Sequence, residues 1–235
     1  MFYLIGIGLG NAKDISLNGL EAVRKCDKVF LDVYTSRLAD FDVNVMNKLY
    51  GCKVIMTERD VIENKCEKEL LNPAKKGDVA LLVVGSPLSA TTHVDILQRA
   101  KKLGIKTKVI DNAGILTAVG ITGLSLYKFG RIVTLPRNNK DVKSPYEMAM
   151  KNKRIGLHTL ILLDIGDGMM SARKGLDYFI RNGLGKDEMV VVCGGLGSLD
   201  AEIKFGKVSE IKVNKYPQCI ILPGELHFVE EEALE

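Results

Sequence analysis

Short, nearly continuous apolar runs that alternate with helix-like stretches limit most strongly how this chain can fold. The run VALLVV at residues 79–84 has no polar side chain at any position. A strand with one solvent-exposed face alternates apolar and polar side chains, whereas a strand covered on both faces is apolar throughout. The runs therefore predict an α/β fold in which helices cover both faces of a parallel sheet.

The apolar runs fall into two sets, separated by a polar stretch that contains prolines. The first set is FYLIGI at the start and residues 29–33, 53–56, 79–84 and 106–110. The second set is residues 159–165, 189–193 and 218–224. Helices are predicted after an N-cap at Ser16 and over residues 94–103 and 172–180. We therefore predict two α/β lobes, residues 1–112 and 113–235, which join between residues 111 and 136.

The composition argues against several classes of function. The 235 residues carry a net charge of +4 without a dense basic block, so we expect a solvated surface and no direct nucleic-acid binding. The five cysteines are scattered and the chain has only three histidines, so we predict neither a disulfide framework nor a metal site. No apolar stretch has the length of a membrane span or the form of a signal sequence, and we expect a cytoplasmic protein with no membrane contact.

Three glycines, Gly6, Gly8 and Gly10, punctuate the end of the first strand in the sequence GIGLGN. A dinucleotide-binding loop has the pattern G-x-G-x-x-G, and here Asn11 holds the third glycine position. Asp32, at the end of the second strand, stands where such proteins place a ribose-binding acid. The glycines either permit a tight turn or make room for a ligand, and the pattern leaves both alternatives open.

Small residues also follow the fourth and fifth predicted strands. Gly85 and Ser86 begin the stretch GSPLSATTH, and Ala113 and Gly114 follow the fifth strand. Ligands of open parallel sheets bind at the carboxyl ends of the strands. Neighbouring strand ends that share small side chains therefore predict a site where a flat ligand approaches the backbone.

Distinctive stretches in order along nearly the whole chain resemble one known family. They are FYLIGIGLGNAKDIS, GLEAVRKCDKVFLDVYTS, GSPLSATTH, NAGILTAVGITGLSLYKFG, GLHTLILLDI and LPGELHFVEEEAL. The chain resembles the diphthine synthase family, which belongs to the tetrapyrrole-methylase-like methyltransferases that depend on S-adenosylmethionine. The resemblance implies that the cofactor binds in a cleft between two α/β lobes and leaves as S-adenosylhomocysteine. It also implies a homodimer whose substrate is the modified histidine of translation elongation factor 2, in diphthamide biosynthesis.

The same resemblance assigns residues to the cofactor. The implied contacts are Leu9, Ser86, Ser89, Gly114, Ile115, Leu163, Gly194 and His227. Methyl transfer from a sulfonium is an in-line displacement that depends mainly on alignment, so neither a metal nor a covalent nucleophile is expected. Asp164 is the first candidate for a catalytic base, ahead of Asp32 and Tyr34.

Two positions depart from the family's usual pattern. Ser86 stands where the family has an aspartate, and Gly195 stands where it has an arginine. Loss of a hydrogen-bonding carboxylate is expected to weaken cofactor binding roughly tenfold. A cofactor-binding relative without turnover is one alternative, which Ser86 favours. A tetrapyrrole-type small-molecule methylase is another, against which the arginine missing at Gly195 counts. A nicotinamide-dependent oxidoreductase is a further alternative, against which Asn11 counts.

Overall fold

A computed structural model describes residues 1–166 and 168–235, which form two compact units, Met1–Leu116 and Thr117–Glu235. Each unit contains a five-stranded sheet, so the predicted α/β class is confirmed. The boundary expected between residues 112 and 113 stays a prediction. Within the described residues, no helix has the length and apolar composition needed to cross a membrane.

The first unit has a wholly parallel sheet with the strand order β3-β2-β4-β1-β5. The strands are β1 Phe2–Gly6, β2 Lys28–Asp32, β3 Val54–Thr57, β4 Val79–Val83 and β5 Thr107–Ile110. In β1, Ile5 pairs with Leu82 of β4 on one side and with Ile110 of β5 on the other. The carboxyl ends of β4, β1 and β5 are therefore neighbours.

The central strand β4 is buried on both faces, which explains why it is apolar throughout. The edge strands β3 and β5 are partly exposed, and β5 begins with the polar residues Thr107 and Lys108. In β4, Ala80 and Leu82 pack into the core on one face, whereas Leu81 and Val83 pack into the core on the other. The helices of this part of the chain are α1 Leu17–Lys25, α2 Val43–Tyr50, α3 Arg59–Glu63, α4 Asn72–Ala74, α5 Val94–Lys102 and α6 Ile115–Ala118. A π-helical segment, Glu67–Leu71, precedes α4, and a 3-10 turn spans Ala12–Asp14.

The second unit has a mixed sheet with the strand order β6-β7-β10-β8-β9. The strands are β6 Val133–Leu135, β7 Thr159–Leu163, β8 Met189–Gly194, β9 Glu202–Lys207 and β10 Gln218–Leu222. The β6 and β7 strands pair in parallel, and the other pairs are antiparallel. The apolar runs predicted β7, β8 and β10 but missed β9. This edge strand, EIKFGK, carries the charges that protect an exposed edge and so lacks an apolar signature.

Helices pack against the second sheet and complete its core. They are α7 Ser144–Arg154, α8 Ala172–Arg181 and α9 Phe228–Leu234, with 3-10 turns at Val119–Thr122 and Leu126–Lys128. A methyl group added to Gly175 of α8 would lie 2.8 Å from Ile220 and 2.9 Å from Leu163. This close approach explains the glycine within an otherwise regular helix, because any side chain there would push α8 away from β7 and β10.

Candidate functional site

Three loops follow the neighbouring strands β1, β4 and β5, and hydrogen bonds join them. We call them loop one (residues 7–16), loop four (residues 84–93) and loop five (residues 111–114). The Gly85 N–H donates to the Gly8 carbonyl at 2.7 Å. The Asn112 side-chain amide donates to the carbonyls of Gly6, at 3.1 Å, and Asp14, at 3.0 Å. The convergence of strand-end loops, inferred from the sequence, is therefore confirmed within the first unit.

The glycines of loop one are explained by contacts within the protein. A Cβ atom on Gly6 would lie 2.5 Å from the Gly85 carbonyl oxygen and 2.9 Å from Pro87. Gly8 has a φ of +75°, a left-handed conformation that other residues adopt at a cost. These glycines therefore let loop four pack on the end of β1, which is the tight-turn alternative.

Asp14 occupies the place where an anionic ligand would bind loop one. Its Oδ2 accepts hydrogen bonds from the N–H groups of Gly10, at 2.7 Å, and Asn11, at 3.3 Å. In a dinucleotide-binding loop, such N–H groups bind the pyrophosphate. Here a carboxylate of the chain already takes them, so loop one is unsuited to a pyrophosphate. The role of Asp14 was not predicted from the sequence, although the spacing of Asn11 and Asp14 is that of a capping box.

Most of the predicted cofactor contacts of the first unit lie close together. A Cβ atom on Gly114 would lie 3.0 Å from the Ser86 nitrogen, and one on Gly85 would lie 3.4 Å from the Leu9 side chain. The Ser89 hydroxyl donates to the Ser86 hydroxyl at 3.0 Å. Ile115 begins α6 directly after Gly114. This surface is small, uncharged and rich in hydroxyl groups, which suits a nucleoside better than a phosphate.

The backbone carbonyl of Leu9, an implied cofactor contact, is already engaged in a hydrogen bond within the protein. Its carbonyl already accepts the Ala39 N–H at 2.9 Å, and the neighbouring Gly10 carbonyl accepts the Asp40 N–H at 2.7 Å. The Leu9 side chain, in contrast, is only half-buried and packs at the edge of the core. The Leu9 side chain is therefore the group that can offer a ligand an apolar contact.

Asp32 lies at the end of β2 but does not have the role considered for it. It is fully buried, and its Oδ2 lies 3.0 Å from Nε2 of His93, which is also fully buried. Its Oδ1 accepts the N–H groups of Tyr34, at 2.7 Å, and Thr35, at 3.2 Å. Burial raises the pKa of Asp32, but the hydrogen bonds from His93 and Thr35 outweigh it and hold this pKa below its ordinary value. The pattern suggested a ribose-binding position for Asp32, but its carboxylate is fully buried and holds loop four to β2 from inside the core.

Other predicted site residues lie in the second unit. Leu163 is a core residue of β7. Gly194 ends β8, and a Cβ atom there would lie 2.3 Å from the Lys215 carbonyl oxygen. At Gly195 a Cβ atom would lie 2.3 Å from Cγ of Lys215, so the family's arginine would displace this lysine. Close packing thus explains both glycines, and the cofactor contacts at Leu163 and Gly194 stay predictions.

Asp164, the candidate base, has two oxygens engaged with the backbone. Its Oδ1 accepts the Gly166 N–H at 2.8 Å, and its Oδ2 accepts the Arg137 N–H at 3.0 Å. The residue is half-buried. These bonds connect the end of β7 to the segment after β6, which is a structural task. Asp164 would have to release one of them before it could accept a proton from a substrate.

His227 precedes α9 and is exposed. Its Nδ1 accepts the Val229 N–H at 3.4 Å, so the ring carries its proton on Nε2. Below it lies Glu230, whose side chain is only 1% exposed. Glu230 and His227 form a capping box, in which the Glu230 carboxylate accepts the His227 N–H at 2.9 Å.

Glu230 is the centre of a buried network that the sequence analysis missed. Besides His227, its carboxylate accepts Nζ of Lys128 at 2.6 Å, the Ser125 N–H at 2.9 Å and Nε2 of His158 at 3.2 Å. Burial raises the pKa of Glu230, but these bonds outweigh it and hold the pKa well below its usual range. Burial also lowers the pKa of His158, which the bond to Glu230 only partly offsets. The network therefore contains a carboxylate, an ammonium and a neutral imidazole.

Comparison with known proteins gives consistent matches. Residues 1–212 match the family described as tetrapyrrole (corrin/porphyrin) methylases. A diphthine synthase of Methanococcus aeolicus is 36% identical over 250 residues, which cover 100% of this chain and 97% of that protein. A probable diphthine methyl ester synthase of Arabidopsis thaliana is 37% identical over 271 residues, with 100% and 97% covered.

Solved structures agree with these sequence matches. A crystal structure of a diphthine synthase has a TM-score of 0.93 and 34% identity, and the match covers 99% of this chain and 94% of that chain. A putative diphthine synthase from Entamoeba histolytica has a TM-score of 0.88 and 35% identity, with 100% and 96% covered. The similarity in sequence and structure thus extends over essentially the full chain.

Proposed function

Because the chain belongs to the tetrapyrrole methylase family and, within it, to the diphthine synthases, we propose that loops one, four and five bind S-adenosylmethionine. The chain is an S-adenosylmethionine-dependent methyltransferase of diphthamide biosynthesis. The proposed contacts in the first unit are Leu9, Ser86, Ser89, Gly114 and Ile115. Leu163, Gly194 and His227 are the proposed contacts in the second unit.

The packing of Gly114 against Ser86 is the observation that supports this proposal most strongly. A Cβ atom added to Gly114 would lie 3.0 Å from the Ser86 nitrogen, so the loops after β4 and β5 meet at residues with small side chains. Small side chains are what the close approach of a ligand to the backbone requires. The Asp14 carboxylate takes the N–H groups that would favour a pyrophosphate, which argues for an adenosyl group rather than a dinucleotide.

The chain's contribution to catalysis is alignment and exclusion of water. S-adenosylmethionine, when bound, supplies an electrophilic methyl group. The side chain of Leu9 and the glycines of loops four and five offer an apolar, close-fitting surface, and the hydroxyls of Ser86 and Ser89 orient polar groups. A substrate amine reacts only as the neutral base, and a desolvated site favours that form.

The proposed substrate is the modified histidine of translation elongation factor 2. The names of the relatives support this proposal, since diphthine is formed on that histidine. Asp164 is the proposed base, with the restriction that its oxygens already accept two backbone bonds. A homodimer is a further proposal, which rests on the family resemblance. A cytoplasmic location is another, which rests on the scattered cysteines that the composition shows.

Binding of S-adenosylhomocysteine is expected to raise the melting temperature. A ligand specific for the native state at 100 times its Kd stabilises a protein by about 2.7 kcal/mol, which corresponds to roughly 5–10 °C for a chain of this size. Differential scanning fluorimetry with S-adenosylhomocysteine, and with NAD as the control, measures this effect. A shift with NAD alone, or with neither ligand at millimolar concentration, would contradict the proposed function.

Replacement of Ser86 by aspartate is expected to tighten S-adenosylhomocysteine binding by up to about tenfold. The carboxylate can still accept the Ser89 hydroxyl, and it adds a charge-assisted hydrogen bond to the ligand. Calorimetric titration measures the change, and the exposed Ser209→Asp variant controls for the added charge. Unchanged affinity would mean that residue 86 does not face the ligand, and weaker binding would mean that this loop is adapted to serine.

A further inference from the structure

Three of the stretches that characterise this sequence meet at one buried carboxylate. The stretch YKFG supplies Lys128, GLHTL supplies His158, and LPGELHFVEEEAL supplies Glu230. None of these side chains is among the proposed cofactor contacts. We propose that Glu230, supported by Lys128 and His158, is a positioning residue that holds His227 in its cofactor-binding orientation. This inference rests on the proposed function, because it assumes that His227 contacts the cofactor.

Glu230 fixes the backbone of His227 on both sides. The Glu230 carboxylate accepts the His227 N–H at 2.9 Å, and the Glu230 N–H donates to the His227 carbonyl at 2.8 Å. The neighbouring Glu231 N–H donates to the same carbonyl at 3.0 Å. With both backbone groups held, the ring of His227 is left to vary mainly by rotation of its own side chain. Its Nε2–H has no partner among the described residues.

The two hydrogen bonds of the His158 ring fix which of its nitrogens donates to Glu230. Nδ1 of His158 accepts the Gly224 N–H at 2.9 Å, so its proton is on Nε2 and is donated to Glu230. Lys128 donates both to the Glu230 carboxylate and to the Glu225 carbonyl, each at 2.6 Å. The network therefore fixes the chain on either side of His227, from residue 224 to residue 230.

This arrangement exceeds what the start of a short helix needs. An exposed serine or aspartate is enough to cap most helices, and burying a carboxylate is costly unless all its partners are in place. The segment that the network holds is nevertheless exposed at its surface: Phe228 is 68% exposed and Val229 is 51% exposed. A rigid base beneath exposed side chains is the design expected of a site that must be preorganised for a ligand.

The test compares variants of the network by their affinity for S-adenosylhomocysteine. Calorimetric titration of the full chain at 25 °C, well below the melting temperature of each variant, gives Kd. Glu230→Gln and His158→Leu are expected to raise Kd about tenfold, because each weakens or removes a charge-assisted hydrogen bond in the network. His227→Ala is expected to raise Kd by a similar factor, because it removes the proposed contact between His227 and the cofactor. His158→Gln keeps a donor toward Glu230 and an acceptor toward Gly224, so its Kd should return to within about threefold of the wild type.

Glu231→Gln is the matched control, since it changes an exposed carboxylate in the same helix. Its Kd should stay within about twofold of the wild type. In a methylation assay with elongation factor 2, the network variants should raise KM for S-adenosylmethionine with kcat almost unchanged. If Glu230→Gln does not fold, the comparison of His158→Leu with His158→Gln tests the positioning role instead. His158→Leu removes one partner of Glu230 and leaves the others.

The outcomes separate the two proposals. A wild-type protein that binds no S-adenosylhomocysteine contradicts the proposed function itself. A wild-type protein that binds, together with network variants that melt earlier at unchanged Kd, overturns the positioning role and leaves the function standing. An unaltered Kd in His227→Ala also overturns it, since Glu230 would then position a residue that the cofactor does not use.

Discussion

Replacement of Asp32 by alanine is expected to lower the free energy of unfolding by about 3–5 kcal/mol, because several hydrogen-bond donors lose one shared, fully buried acceptor. The change leaves Nε2 of the buried His93 without its acceptor at 3.0 Å. It also leaves the N–H groups of Tyr34 and Thr35 without theirs. Each donor that loses a carboxylate acceptor inside or at the edge of the core costs about 1–3 kcal/mol.

Urea denaturation of the wild type and of Asp32→Ala measures this loss. Asp111→Ala is the control, because Asp111 also follows a strand but is exposed and accepts a local N–H, from Asn112. The control should change stability by less than about 1 kcal/mol. Equal losses in the two variants would show that the Asp32–His93 pair has no special weight, and that loop four is held by other contacts.

Replacement of Gly6 by alanine is expected to reduce methyl transfer about a hundredfold, since a displacement on the order of 1 Å in a positioning element has effects of that size. The added Cβ would lie 2.5 Å from the Gly85 carbonyl oxygen, and backbone must move to relieve the clash. Gly85 precedes Ser86, so the displacement reaches the proposed cofactor contacts directly. Overpacking at such a site also costs about 1–3 kcal/mol of stability.

Single-turnover methylation of elongation factor 2 measures the effect of Gly6→Ala. The control is Gly206→Ala in β9, where a Cβ atom meets nothing within 4 Å and φ is not left-handed. Both variants add one methyl group to a strand glycine, but only the first presses on loop four. Full activity of Gly6→Ala would mean that loop four tolerates displacement and does not position the cofactor.

The central strand β4 of the first sheet was predictable because burial on both faces leaves a continuous apolar signature. The edge strands β3 and β5 are partly exposed and were predicted from shorter apolar runs. In the second sheet the same rule located β7, β8 and β10, and it failed at β9, an edge strand whose EIKFGK sequence has no such signature. Strand boundaries moved by a residue in places: the predicted strand over residues 53–56 is Val54–Thr57. Turn and cap residues determine the exact residue at which a strand ends, and their signal in the sequence is weaker than that of an apolar run.

The site was less predictable than the fold, because its polar residues act over long distances in the sequence. The convergence of Ser86 and Gly114 follows from the topology of parallel strands, which sequence patterns indicate. Asn112 binds carbonyls at Gly6 and Asp14. Glu230 likewise accepts from Lys128, far away in sequence. A single sequence contains no periodicity that pairs residues so far apart, so these bonds required a structure.

The position of β10 in the second sheet has a consequence for the order in which the chain becomes structured during synthesis. In the first unit, every strand lies within the first 110 residues, so its sheet can close while later residues are still being added. In the second unit, β10 lies between β7 and β8 in the middle of the sheet. Until the ribosome has released residues 218–222, β7 and β8 present unpaired backbone to the solvent. A nascent chain paused there exposes strand edges that favour aggregation, and chaperones protect such species.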